Sequence, residues 1–291
     1  RILRHPAFQR LEATWRAVWK LATELDTDDG LRLSLLDLSR DELRAALADP
    51  EQSGLARMLA LDSVDPEAGP WSLLVGDFTF GPGAEDMDML TRLGALAARA
   101  GAPFVAGASL ALLGCADARE LAAQSRWPEP DVQSLANWQA LRREPGAAWL
   151  GLALPRVLAR LPYGAKTDRI EAFAFEEMAD GRHHEAYLWG NPAYALAYLA
   201  GQCLAEEGPA GDVAARLDIE GLPSHVYRDA DGDTVQQPCA EVWLNEAAAE
   251  AILDRGRMPI LSYRNRDAAR LLRWQSLALP PRGLAGLSTA D

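Results

Sequence analysis

WSLLVGDFTFGPGAEDMDMLTRLGALAARAGAPFVAGAS, Trp71 to Ser109, holds a strand, a turn, a helix and a second strand in one uninterrupted stretch. The apolar run Leu73 to Val75 predicts a strand that ends at Gly76 and Asp77, and Gly81, Pro82 and Gly83 predict a turn. Glu85 and Asp86 then sit where the positive end of a helix dipole favours acids. Met87, Leu90, Leu93, Leu96 and Ala97 recur at helical spacing and so share one face. Gly101 supplies a left-handed stop, and Pro103 leads into a strand from Phe104 to Ala106.

Upstream, His5 to Leu25 predicts an amphipathic helix with Phe8, Leu11, Trp15, Val18, Trp19, Ala22 and Leu25 on one stripe. Trp15 and Trp19 stand four apart, which suits a core or a partner contact better than a cofactor box. Leu31 to Leu38 alternates as a strand. Ser39 and Glu42 form a capping box over a helix from Asp41 to Leu47. Asp62 to Pro70 reads as an acidic loop, so strands and helices alternate in the α/β manner.

Downstream, short helices are expected at Ala118–Ser125 and Val132–Arg143. Ala147 to Tyr163, broken by Pro155 and Pro162, predicts a buried strand followed by a short helix. Ile170–Phe175 and Val242–Leu244 predict short strands. Asn191 with Pro192 starts a helix through Cys203. A hairpin is expected around Asp231 and Gly232, a helix capped by Asn245 runs to Leu253, and Pro259–Tyr263 predicts a strand. The end, PPRGLAGLSTAD, predicts a frayed terminus. The expected architecture is an α/β fold: a mixed sheet core with flanking helices. Residues 1–207 would hold the main core, and the turn-rich 208–291 would pack on it.

With 291 residues the chain can bury a large core. Three widely spaced cysteines, Cys115, Cys203 and Cys239, argue against a disulfide framework or zinc site and suit a reducing cytosol. The N-terminal residues resemble neither a signal peptide nor a membrane span, and the start at Arg1 suggests an upstream part. A net charge of -13 opposes binding to nucleic acid or anionic lipid. That charge is uneven. Glu24 to Asp88 holds sixteen acids against four arginines, whereas Arg255 to Arg282 holds seven arginines against Asp267. Opposite patches of this kind suit head-to-tail association of copies.

Tests for chemistry come back empty. The Gly-Pro-Gly turn lacks the Lys and Ser/Thr of a phosphate loop, and Glu85, Asp86 and Asp88 would repel a phosphate. Asp37 and Asp77 at strand ends would suit a magnesium site, the basis of a metal-dependent hydrolase reading, although local turn hydrogen bonds explain them more simply. His183 and His184 read as exposed loop residues, and His225 as an ordinary half-buried histidine. Asp229, Asp231 and Asp233 imitate half a calcium loop without its closing glutamate. No metal, cofactor or catalytic set is expected.

Several stretches, in order, resemble one family: HPAFQRLEATWR (His5–Arg16), Leu73–Ser109, LALPRVLARLPYG (Leu152–Gly164), FAFEE (Phe173–Glu177), YLWGNPAYALAYL (Tyr187–Leu199) and MPILSYRNRDAARLLRWQSLALP (Met258–Pro280). Together they resemble the large contractile-sheath subunit of type VI secretion systems, the TssC/VipB/ImpC family. The stretch EEGPAGDVAARLDIEGLP departs from the family's usual Trp-Cys and Gly-rich pattern. The resemblance implies a cytoplasmic mechanical protein with a sheath-protomer fold. It would assemble with the small sheath subunit and with copies of itself around an inner tube protein. In the family, segments outside the stretch seen here pair with the small subunit and exchange strands. A divergent protein that caps, anchors or regulates the assembly is the alternative. The candidate interface residues are Trp15, Trp19, Arg264, Arg266 and Arg270.

Overall fold

The computed structural model describes residues 2–27, 30–49, 53–64, 69–123, 127–128, 130–179, 184–229 and 231–287, the side chains of 61–64 excepted. In chain order the helices and strands are α1 (Pro6–Glu24), α2 (Arg40–Ala48), α3 (Gly54–Val64), β1 (Leu74–Phe80), α4 (Ala84–Ala100), β2 (Phe104–Ala108), α5 (Ala118–Ala122) and α6 (Val132–Arg143). Then follow β3 (Leu150–Leu154), β4 (Val157–Leu158), β5 (Trp189–Gly190), α7 (Ala193–Glu207), β6 (Asp218–Glu220), β7 (His225–Arg228), β8 (Thr234–Gln237), α8 (Glu246–Asp254), β9 (Met258–Ser262) and β10 (Ala268–Leu271).

Six strands form one sheet in the order β1-β2-β3-β9-β10-β6. The first four are parallel to their neighbours; β10 is antiparallel to both β9 and β6. This is the mixed sheet with flanking helices that the sequence predicts. Side chains alternate between its faces with the period of two that a pleated strand imposes. Phe104, Ala106, Leu150, Leu152 and Leu154 face a core shared with α2, α4, α6 and α8. Val105 and Ala153 face a second core built on α7. Helices on both faces account for the apolar runs of the central strands.

The α4 helix forms as its sequence dictates. Glu85 and Asp86 occupy its first turn, Gly101 ends it at φ 67°, and Met87, Leu90, Leu93, Leu96 and Ala97 are all buried. It lies so close to the 3-10 turn Pro145–Trp149 that a Cβ at Gly94 would come within 2.7 Å of the Gly146 carbonyl oxygen. The capping boxes and N-caps at Ser39 and Asn245 form as expected, and the hairpin of β7 and β8 turns at Asp231 and Gly232.

Other expectations need correction. The first strand does not stop at Asp77 but runs through Gly76 to Phe80, because a parallel neighbour continues alongside it. Leu31–Leu38 forms no helix or strand and joins no sheet among the described residues. Ile170–Phe175 forms bends, and Val242–Leu244 is irregular, with both leucine-rich and aromatic side chains used for packing instead of pairing. The helix α3 reaches Val64, into the stretch expected to be loop. Between Ala147 and Tyr163, β3 is followed by the short strand β4, which pairs with β5, and not by a helix. The final segment is not frayed as far as Leu287. Leu284 and Leu287 are buried, and Ala285 N–H donates to the Ala148 carbonyl. Ser125 and His183 lie outside the described residues.

Candidate partner interface

The helix α1 meets the body through a mixed face: Ala13 is buried, Leu21 and, just past the helix end, Leu25 pack into the α7 core, and Glu12 and Arg16 lie beside them. It packs on α7 and β5. Leu11, Trp15 and Trp19, spaced by four and therefore stacked along one side, are 54%, 59% and 71% exposed. Of the thirteen large apolar side chains that stand exposed among the described residues, seven lie before residue 37: these three with Ile2, Leu33, Leu35 and Leu36. Grouped exposed apolar residues of this kind make a candidate contact surface, whereas residues scattered singly do not.

The inward face is also held by charge. Glu12 accepts hydrogen bonds from Arg160 Nε (2.7 Å), Arg16 Nε (2.9 Å) and the Tyr163 hydroxyl (2.9 Å). Arg160, 3% exposed, extends its other nitrogens to both oxygens of buried Glu177 at 2.6 and 3.0 Å. Its guanidinium lies 3.7 Å from the centre of the Tyr163 ring, and Glu177 also accepts the Tyr163 N–H. Burial by itself would raise the Glu12 pKa, but Arg160, with Arg16 and Tyr163, holds it below the ordinary carboxylate value. Burial likewise opposes the charge on Arg160, and Glu177 and Glu12 outweigh it, so its pKa is raised. Further along, Lys20 and Tyr198 share Glu24, and Thr14 donates to Asp77.

These contacts join stretches that are remote in the chain. Glu12 belongs to His5–Arg16, Arg160 and Tyr163 to Leu152–Gly164, and Glu177 to Phe173–Glu177. Asn191, ahead of α7, donates to the Phe78 carbonyl within Trp71–Ser109. Gln275, buried near the C-terminal end, donates to the Leu253 carbonyl. The polar residues of the sequence motifs are thus the ties between elements. Motif order alone names them, but their pairing is decided by the fold.

The three candidate arginines sit around the β9–β10 turn. Arg264 lies 5.5 Å from the centre of the Trp243 ring. Arg266 pairs with Glu220 at 2.8 Å and lies over Tyr263. Arg270 is exposed on β10, beside the Tyr263 hydroxyl that donates to Asp218. The structure relates this patch to α1 through one loop: Lys20 reaches the Gly221 carbonyl, next to the Glu220 that holds Arg266. The acidic run is also partly compensated, since α2 supplies Arg40 to Asp86 and Arg44 to Glu85.

The chemical candidates resolve into structural roles. Asp86 accepts the Gly81 N–H as well as Arg40, which closes the turn a phosphate would need. Asp77 is taken by Thr14 and Tyr194, whose phenol is pushed up by burial and then by that carboxylate. Asp37 is exposed in the extended segment. No cluster of three or more His, Cys, Asp or Glu suited to a metal occurs among the described residues. Asp229 accepts the N–H groups of Asp231 and Asp233 and so serves its own turn. His184 corrects the exposed-loop reading: it bonds to buried Glu241 at 2.9 Å and stacks on Trp189. His225 is buried against the Tyr187 hydroxyl. Burial raises Cys115 to about 11 and Cys239 to about 12, so both thiols stay protonated near neutrality. No helix of the described residues is long and apolar enough to cross a membrane.

Residues 1–278 match the VipB family, EvpB/VC_A0108, tail sheath N-terminal domain. The type VI secretion system sheath protein TssC1 of Pseudomonas aeruginosa is 32% identical over 293 residues, covering 96% of this chain and 58% of the relative. The chain thus spans somewhat more than half of that relative's length. It belongs to the VipB/TssC family of tail-sheath proteins, with residues 1–278 corresponding to the sheath N-terminal domain.

Proposed function

We propose that this chain is a cytoplasmic, non-catalytic structural subunit of a type VI secretion contractile sheath. It assembles with the small sheath subunit and with copies of itself around an inner tube protein. The observation that carries the reading is helix α1, which docks on the body through Ala13, Leu21, Leu25 and Glu12 and leaves Leu11, Trp15 and Trp19 exposed for another surface. A contractile assembly needs rigid protomers and interfaces that can rearrange. The two-faced core and the Glu12–Arg160–Glu177 clasp supply the rigidity, and the apolar stripe and the Arg264, Arg266 and Arg270 patch supply two contact regions.

The test is co-expression with the small sheath subunit, followed by negative-stain microscopy. Tubules are expected. The Trp15→Glu, Trp19→Glu double variant should abolish them, and the Arg264→Glu, Arg266→Glu, Arg270→Glu triple variant should reduce them, each with an unchanged melting temperature. Arg266 and Glu220 form an exposed pair, worth no more than about 1 kcal/mol, so its loss does not endanger folding. Discrete complexes without tubules would overturn the proposal in favour of a capping or anchoring protein.

A further inference from the structure

The chain from Tyr163 to Glu177 forms no helix or strand, yet its two ends are fastened to each other. Tyr163 N–H donates to the Glu177 carboxylate at 2.9 Å, and Glu177 N–H donates back to the Tyr163 carbonyl at 2.9 Å. A surface loop closed at its neck in this way is an Ω-loop, a compact unit held by its own bonds. Inside it, Gly164 N–H donates to the Asp168 carbonyl and Ala165 N–H to the Glu176 carboxylate. Its far side is open to solvent, with Phe173 53% exposed. The neck also bears on α1. The Tyr163 hydroxyl donates to Glu12 and accepts from Arg16 at 2.8 Å. Buried Glu177 is held by Arg160, whose other edge holds Glu12. Just ahead of α1, Arg4 donates to the Glu176 and Glu177 carbonyls, the second at 3.0 Å, and lies 5.8 Å from the centre of the Phe175 ring.

We propose that α1 and the 163–177 loop are one coupled unit: the neck closes fully only while α1 is docked, and α1 docks fully only while the neck is closed. Arg160 is the joint. Its guanidinium keeps its charge at any ordinary pH, and it is 3% exposed, so its pairs act where attraction between charges is stronger than in water. Lifting α1 takes Glu12 away and lets water reach Arg160 and Glu177. The neck is then held by an exposed pair in place of a buried one, and exposed pairs hold weakly. Opening the neck withdraws the Tyr163 hydroxyl and the two carbonyls from α1 and leaves Arg160 without the Glu177 carboxylate. Coupling of this kind is reciprocal, so each opening favours the other by the same factor. A partner that grips Leu11, Trp15 and Trp19 on the outer side of α1 thereby also fixes the loop and its exposed Phe173. The coupling belongs to the single chain and does not depend on the sheath reading.

The experiment is amide hydrogen exchange, read by mass spectrometry on the whole chain and on variants at the two ends of the joint. In Glu177→Gln, changed only in the loop, the α1 amides should exchange about tenfold faster than in the parent. In Glu12→Gln, changed only in the helix, the amides of Tyr163, Gly164 and Glu177 should exchange faster by the same factor. Amides of α4 should keep the parent's rate in both. Glu171→Gln, exposed on the same loop, should alter neither α1 nor the neck. Should Glu177→Gln fail to fold, Arg4→Ala is the milder variant: it removes the ties to the two carbonyls and should speed α1 and the neck alike by about threefold. Faster exchange confined to the segment that carries the substitution overturns the coupling. Amides of α4 that accelerate together with those of α1 overturn it in favour of global destabilisation.

Discussion

The helices α1 and α4 are both amphipathic, and their sequences announce an apolar stripe with equal clarity, yet the fold treats them differently. In α4 the stripe is buried against the sheet, and the charged face is left to Arg92 and Asp88 at the surface. In α1 Ala13, Leu21 and Leu25 go inward together with Glu12, and of the stripe's large side chains only Leu11, Trp15 and Trp19 stand well exposed. The difference lies in what each helix meets. The α4 helix crosses the apolar face of parallel strands. The α1 helix meets Arg160, Tyr163 and Tyr198 as well as the α7 core, so Glu12, Arg16, Lys20 and Glu24 partner those polar ends beside the buried apolar residues. A stripe does not by itself say which of its residues the fold will bury.

The sharpest way to break the comparison is to remove the clasp. Arg160→Ala leaves Glu12 and Glu177 without their shared cation, and breaking a buried ion pair from one side costs about 3–5 kcal/mol. Urea unfolding should show a loss of that size. A loss under about 1 kcal/mol would mean that α1 is held by something other than charge.

Next in size is a paired substitution across the two helices. Leu93→Ala in α4 should cost about 2–5 kcal/mol, since a 3% exposed leucine leaves a cavity. Trp15→Ser in α1 should change stability by about 0.5 kcal/mol or less, although tryptophan is the larger side chain. Equal losses on thermal melting would show that the α1 stripe is covered within the single chain.

The mildest perturbation is acid. Glu12 has its pKa lowered in the folded chain, where Arg160, Arg16 and Tyr163 outweigh its burial. Its ion pairs therefore contribute fully above the ordinary value of 4.5 and are lost as pH falls through the lower folded value. Amides of α1, corrected for intrinsic rate, should lose protection at a pH below 4.5, before those of α4 do. Simultaneous loss in both helices would join α1 to the global core.

Much of the fold was legible because local chemistry and tertiary need agree in its centre. Gly101, Ser39 and Asn245 mark helix ends by mechanisms that act within one turn, and each is found there. The misses have the opposite cause. Leu31–Leu38 has strand alternation, but pairing requires a neighbour that none of the described strands supplies. Val157 and Leu158 became a strand because Trp189 and Gly190 lie beside them, a relation invisible in either stretch. Of the candidate surface, Trp15, Trp19 and the three arginines were visible as types and spacings. Glu12, Arg160 and Glu177 were visible only as letters within motifs, since charges remote in sequence carry no sign of which partner they will find. His184 was misjudged for the same reason: Glu241 lies far along the chain.

The sequence by itself determined an α/β protein with a rigid strand–helix–strand centre, without the residue constellations of a familiar catalytic or metal site, and with a family resemblance spread in order along its length. Those properties follow from periodicity, capping and composition, which act over a few residues. Only the tertiary structure decided that α1 turns Ala13, Leu21 and Leu25 inward while leaving Trp15 and Trp19 exposed, that Leu31–Leu38 joins no sheet among the described residues, and that motifs far apart close into one clasp. Orientation and pairing depend on which surfaces meet, and desolvation rewards or penalises a side chain only once its neighbours are in place.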